Sequence, residues 1–176
     1  SYDACFSWRM FFKTAFLKEN QLLPDERIVI GEDTEYNLRI LKMAKRVMAI
    51  DYCGYHYRVD NQESLVRRNY KATLENDLVL QYPTRRNFSE DSRYLQDMAK
   101  YYTDVMVFNV IQNAKASPKG FQLKDMRRIL NTKWLQESYK LVTSKGGTTS
   151  YKERILRFCM KNRLSVFVFL YFKFLK

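Results

Sequence analysis

From Tyr70 onward this chain contains almost nothing that can stop a helix. Four stretches, Lys71–Phe88, Ser92–Ala116, Leu123–Thr143 and Tyr151–Lys176, carry apolar residues at intervals of three and four. That spacing lines them along one face of an α-helix. The breaks are short, Ser117-Pro118-Lys119-Gly120 and Ser144-Lys145-Gly146-Gly147 among them. Five glycines and three prolines in 176 residues are too few for an all-β sandwich full of tight turns. Pro83, inside the first stretch, predicts a kink or an end there, because proline has no N–H to bond. Ser89 or Asp91 is placed to cap the second stretch, which Ser117-Pro118 and Gly120 close. A helical bundle over residues 70–176 is the expectation.

The first 69 residues have a different texture. Residues 4–20 are predicted helical, with Phe6, Met10, Phe11, Ala15 and Phe16 on one side. Pro24-Asp25 marks a loop over 21–27. Ile28–Ile30 is predicted as a short strand or extended arm, and 33–45 as a helix. Val47–Ile50 and Gly54–Arg58 are β-rich in composition, and Asp60–Arg68 is a polar loop.

Between arm and helix stands Gly31-Glu32-Asp33. Glycine permits a backbone turn that a β-carbon would oppose. Asp33 or Thr34 can cap the helix that follows, whose apolar residues Tyr36, Leu38, Ile40, Leu41 and Ala44 run up to Lys45-Arg46. Carboxylates there meet unpaired N–H groups and the positive end of the helix dipole. Such a carboxylate stays ionised and fixed in direction, which is what a general base needs.

Apolar residues make up 46% of the chain, enough for a packed core, and the net charge is +12. Nucleic acid, an anionic membrane face or a phosphorylated substrate would each balance that charge. Basic residues are interleaved with acids and no nucleic-acid recognition motif is present, so nucleic acid is set aside. Cys5, Cys53 and Cys159 are an odd number without metal-ligand spacing and read as free thiols of a reducing compartment. The chain starts without Met and leads at once into an apolar segment, which reads as a part of something longer.

Several pieces occur in order. Trp8 lies in Ser7-Trp8-Arg9-Met10-Phe11-Phe12-Lys13; a loop follows, then Glu32-Asp33 at a helix start, then Val47-Met48-Ala49-Ile50-Asp51 and Tyr55-His56-Tyr57-Arg58. Over roughly residues 1–68 this order resembles the C-terminal half of the catalytic domain of family 2 glycosyltransferases, which have the GT-A fold. Their pattern there is Trp-x-x-x-(Phe/Tyr)-(Lys/Arg), an acceptor-side loop, Glu-Asp at a helix start, and a strand ending in Tyr-Tyr-Arg. The resemblance implies that Asp33 is the catalytic base and Glu32 its neighbour on the acceptor side. It implies an inverting transfer of sugar from a nucleotide-sugar to an acceptor hydroxyl, a glycan or a lipid-linked one, in building cell-surface polysaccharide. It also implies a divalent ion (Mg or Mn) in the full-length enzyme, for which His56 and Asp60 are the candidate ligands, and none in this part alone. Missing is the Asp-x-Asp motif that the family carries in its N-terminal half, so this chain alone is expected to be inactive.

Other candidates rest on side-chain chemistry. Trp8 has a flat apolar face on which a sugar ring can stack. Arg58, and more weakly Arg67 and Arg68, can grip a diphosphate through planar guanidinium groups. From Lys145 to Lys176 eight basic residues stand against Glu153 alone, among aromatics, which suits a helix lying in a membrane interface. The last apolar run is too short for the roughly 20 residues that a spanning helix needs. A last core helix or a contact with a second copy is the competing reading of that tail.

The expected molecule is α+β and predominantly α-helical. Residues 1–69 form the acceptor-side part of a GT-A domain with a few short strands. Residues 70–176 form the bundle, ending in a basic, aromatic, amphipathic helix. The expected place is cytoplasmic, peripheral on the inner face of the plasma membrane. The rival function is a non-catalytic basic helical module that binds a membrane surface or nucleic acid.

Overall fold

In the computed structural model, which describes residues 6–52, 54–56, 69–142 and 150–174, the chain is predominantly helical, and no strand occurs among the described residues. It divides into two compact units, Ser1–Ser89 and Glu90–Lys176.

The first unit holds a 3-10 turn at Ser7–Arg9, then α1 (Thr14–Glu19), α2 (Glu32–Met43) and α3 (Leu74–Arg86). The single helix predicted over 4–20 is therefore a turn, an extended stretch beginning at Met10, and a short helix. α1 closes with Gln21 in the left-handed region at φ 51°. The Leu22 amide reaches back to the Leu17 carbonyl and that of Gln21 to Lys18, the bonding of a Schellman cap.

Leu22, Ile28, Leu38, Ile40, Leu74, Leu78 and Tyr82 are buried in this unit. α3 packs on α2, so the first unit extends past residue 69 and takes in a helix that the sequence assigns to the bundle. α3 also runs through Pro83 to Arg86. Proline there leaves the Val79 carbonyl without its amide partner, and the helix ends one turn later, at Arg86.

No strand forms at 28–30, where a strand or extended arm is expected, at 47–50, or over 54–56, the described part of the β-rich stretch 54–58. The Val29 and Ile30 amides bond to the Asp77 carboxylate instead of to a neighbouring strand. Val47, Met48 and Ile50 are exposed, with no ladder to join. β-rich composition records fitness for a pleated, half-buried surface, and without a partner strand it builds nothing.

Among the described residues the second unit holds six α-helices: α4 (Ser92–Tyr101), α5 (Val107–Lys115), α6 (Leu123–Leu130), α7 (Lys133–Leu141), α8 (Tyr151–Lys161) and α9 (Ser165–Phe174). Asp91 caps α4, its side chain accepting from the Arg93 and Tyr94 amides. A π-helical turn, Tyr102–Met106, joins α4 to α5 without a break. Met98 and Ala99 before it and Tyr102, Thr103 and Met106 within it form one buried set, and Val107, Val110, Ile111 and Ala114 after it form a second. The second set is about one residue out of step with the first on a regular helix, and the wide turn absorbs the difference.

The stretch predicted as one helix over 123–143 breaks at Asn131-Thr132, where side chains cap the carbonyls of Arg127 and Ile129. The tail also breaks in two. Arg163 adopts φ 58°, and the Leu164 amide bonds the Cys159 carbonyl at 2.8 Å, another Schellman cap. Cys159 is a free thiol. Trp134, Tyr102, Met126, Ile129, Leu130, Met160, Val168 and Phe172 fill the core of this unit. α9 packs on α6 and α8, and the Lys115 ammonium caps the Phe172 carbonyl at 3.1 Å.

Candidate functional site

The sharpest local structure in the first unit surrounds Gly31. It is the residue before α2, and its φ of 81° lies in the left-handed region that glycine tolerates and other residues resist. Asp33 and Thr34 are thus not the cap; they sit inside the first turn, with Glu32 as the first helical residue. Gln81 of α3 fills the space in which a β-carbon would stand, its Oε1 only 2.7 Å from that point. The same Gln81 amide donates to the Ile30 carbonyl. Asp77, fully buried one helical turn earlier, accepts from the Val29 amide at 3.3 Å and the Ile30 amide at 3.1 Å.

The other end of the loop is tied down as well. The Tyr36 hydroxyl donates to the Leu22 carbonyl at 3.3 Å, and Arg39 Nη2 to the Leu23 carbonyl at 2.6 Å. Glu35 is buried, and one of its oxygens takes both Arg39 Nε at 2.8 Å and the Thr84 hydroxyl at 2.9 Å. Between these anchors Pro24, Glu26 and Arg27 are exposed, as are Leu23 and Val29 at the edges of the loop. There the Arg27 guanidinium grips Asp25 at 2.7 Å and holds its carboxyl at about 2, well below the usual carboxylate range.

Glu32 is exposed and Asp33 half-buried at the N-terminal end of α2. The helix dipole favours negative charge at both. Asp33 shares a helix face with Asn37, one turn on, and Asn37 accepts a hydrogen bond from Ser7 at 3.0 Å. The turn that carries Trp8 is thereby fastened to the helix that carries Asp33. Trp8 does not stand alone. Tyr55 stacks on it at 4.7 Å and 25°, Phe6 lies 5.3 Å away, and the Arg9 guanidinium sits 4.9 Å from the ring centre. Phe6 and Tyr55 are exposed, so the flat surface expected of Trp8 is one of three rings.

His56 is exposed next to Tyr55. Among the described residues no three His, Cys, Asp or Glu side chains converge. Arg58, Asp60, Arg67 and Arg68 lie outside the described residues. Asp77, Gln81, Glu35 and Thr84 were not singled out by the sequence reading. The first two belong to a stretch recognisable only as helix, and the single available signal was an acid, Asp77, placed among apolar neighbours. The arrangement places two carboxylates at the start of a helix whose backbone entry is pinned, on the helix to which Ser7 ties the Trp8 turn.

No protein-family model matches this chain, and no solved structure matches it. It is 26% identical over 172 residues to a protein described as the uncharacterized glycosyltransferase EpsJ of Bacillus subtilis (strain 168). The match covers 94% of this chain and 50% of that protein, so the chain spans half the length of the relative. The likeness links this chain, over nearly all of its length, to a glycosyltransferase.

Proposed function

We propose that this chain is the acceptor-side part of an inverting family 2 glycosyltransferase of GT-A type. The reaction is transfer of a sugar from a nucleotide-sugar to an acceptor hydroxyl in the synthesis of cell-surface polysaccharide. The observation that carries the reading is the pinned turn at Gly31, which sets Glu32 and Asp33 at the start of α2 in a chain similar to a glycosyltransferase.

In the proposed mechanism Asp33 takes the proton of the acceptor hydroxyl as that oxygen attacks the anomeric carbon. The new C–O bond forms on one face of the sugar while the bond to the nucleotide diphosphate breaks on the other, and the configuration inverts. Glu32 bonds a second hydroxyl of the acceptor. The rings of Phe6, Trp8 and Tyr55 present a surface for the apolar face of a sugar. Arg58, Arg67 and Arg68 are the candidates for the departing diphosphate. The divalent ion implied by the resemblance finds no three-ligand cluster among the described residues, and no step here depends on it.

The test is Asp33→Asn in the full-length enzyme, which removes the proton acceptor and preserves size. Transfer is expected to fall about 10²–10⁴-fold, with folding and donor binding unchanged. Retention of more than about a tenth of the rate would overturn the assignment.

A further inference from the structure

α9 is apolar on both of its faces. Val168 and Phe172 point inward and are fully buried, with Phe172 against Phe108 at 5.8 Å. On the opposite side Val166, Phe167, Leu170 and Phe174 are exposed, Phe167 to 67% and Phe174 to 69%. A helix that is hydrophobic all round is ordinarily covered all round. Its neighbour α8 repeats the arrangement: Leu156 and Met160 face inward, while Ile155 and Phe158 are exposed.

The charge on the same segment is one-sided. Between Ser150 and Phe174 six basic residues stand against one acid, Glu153. Arg157 is engaged with Asp104 at 3.1 Å. Lys152, Arg154, Lys161, Arg163 and Lys173 are all exposed, and the Lys173 ammonium sits 5.3 Å and 5.5 Å from the ring centres of Phe169 and Phe174. The second unit as a whole has 17 basic and 7 acidic residues, hence +10 of the net +12.

We propose that the outer faces of α8 and α9 form a docking surface for an anionic lipid bilayer. The two helices lie in the headgroup region, with the exposed Phe, Leu, Ile and Val side chains below and the Lys and Arg ends at the phosphates. Among the described residues no helix is long and apolar enough to cross a membrane, so the contact is one of lying on, not spanning. The chain's net +12 opposes a second copy seated on this face. Nucleic acid would match the charge and its bases can stack on Phe158, Phe167 and Phe174, but Ile155, Val166 and Leu170 gain nothing from it, whereas acyl chains take up rings and aliphatic side chains alike. The inference is independent of the transferase reading.

Co-sedimentation of the chain with vesicles of phosphatidylcholine, alone and mixed with phosphatidylglycerol, tests it. Binding is expected to the mixed vesicles only, and to fall about tenfold in molar salt. Phe167→Glu with Leu170→Glu should weaken it by about tenfold or more while circular dichroism stays unchanged, since both sites are exposed. Should that pair disturb folding, Phe167→Trp supplies a second measurement: its fluorescence is expected to be quenched by bromolipid beyond the background of Trp8 and Trp134. Four results would overturn the proposal: no binding to anionic vesicles at low salt, equal binding to neutral ones, an undiminished folded double variant, or no added quenching. A concentration-dependent dimer, or binding of a single-stranded oligonucleotide, that the double variant abolishes while vesicle binding is absent would give the face to those partners.

Discussion

Gly31 combines two demands that no other residue meets together: a left-handed backbone and an empty place beside Gln81. Gly31→Ala incurs about 1–2 kcal/mol from the backbone alone. It also pushes Gln81 off the Ile30 carbonyl, whose loss is worth about 1 kcal/mol more. Chemical denaturation should therefore record about 2–3 kcal/mol of lost stability, and a change under about 0.5 kcal/mol would mean that Gln81 yields freely. Asp25 gives a second prediction. Its carboxyl is held at about 2 by Arg27, below the ordinary 3.8, so the folded state binds its proton less readily than the unfolded chain. The associated stability is present above the ordinary value and is lost as pH falls from there towards about 2. Arg27→Gln should move the NMR titration of Asp25 upward but not all the way to 3.8, because the residue-27 amide still donates to the carboxylate; an unmoved midpoint would acquit the Arg27 side chain. At this scale the sequence was informative where a residue acts on its immediate neighbours. Gly31 announced its turn and Asp91 its cap, whereas Asp77 and Gln81 act on a segment about 50 residues away and left no local trace.

Among the elements, α9 separates its two faces most clearly. Phe172→Ala should cost about 3–5 kcal/mol, because it empties a fully buried ring position, while Phe167→Ala should stay within about 0.5 kcal/mol. Equal losses in thermal unfolding would mean that the outer face is also packed. The existence of most helices was legible, since their spacing is regular and breakers are few. Their ends were less so. Arg163 closes α8 in a conformation usually left to glycine, and nothing in the name of the residue signals that. Asn131 stops α6 with a side-chain bond that depends on the helix being already formed. The π turn at Tyr102–Met106 hid inside an apolar pattern that looks continuous when its phase is not followed residue by residue.

For the molecule as a whole, the family 2 reading proposed above, which puts the Asp-x-Asp motif outside these residues, predicts weak donor binding. Calorimetry of the 176-residue chain with UDP and Mn²⁺ should give a Kd no tighter than about 1 mM, and micromolar affinity would put the nucleotide site within these residues. The predominantly helical character was readable from the spacing and the few breakers; texture changes near residue 70, while packing gathers the chain into Ser1–Ser89 and Glu90–Lys176. That difference bears on portability. The Gly31 turn is held by Asp77 and Gln81, so a piece cut where the texture changes would carry Glu32 and Asp33 without the groups that aim them. Any chimera that carries this turn must therefore include α3, and the smallest exchangeable module is defined by the reach of two side chains.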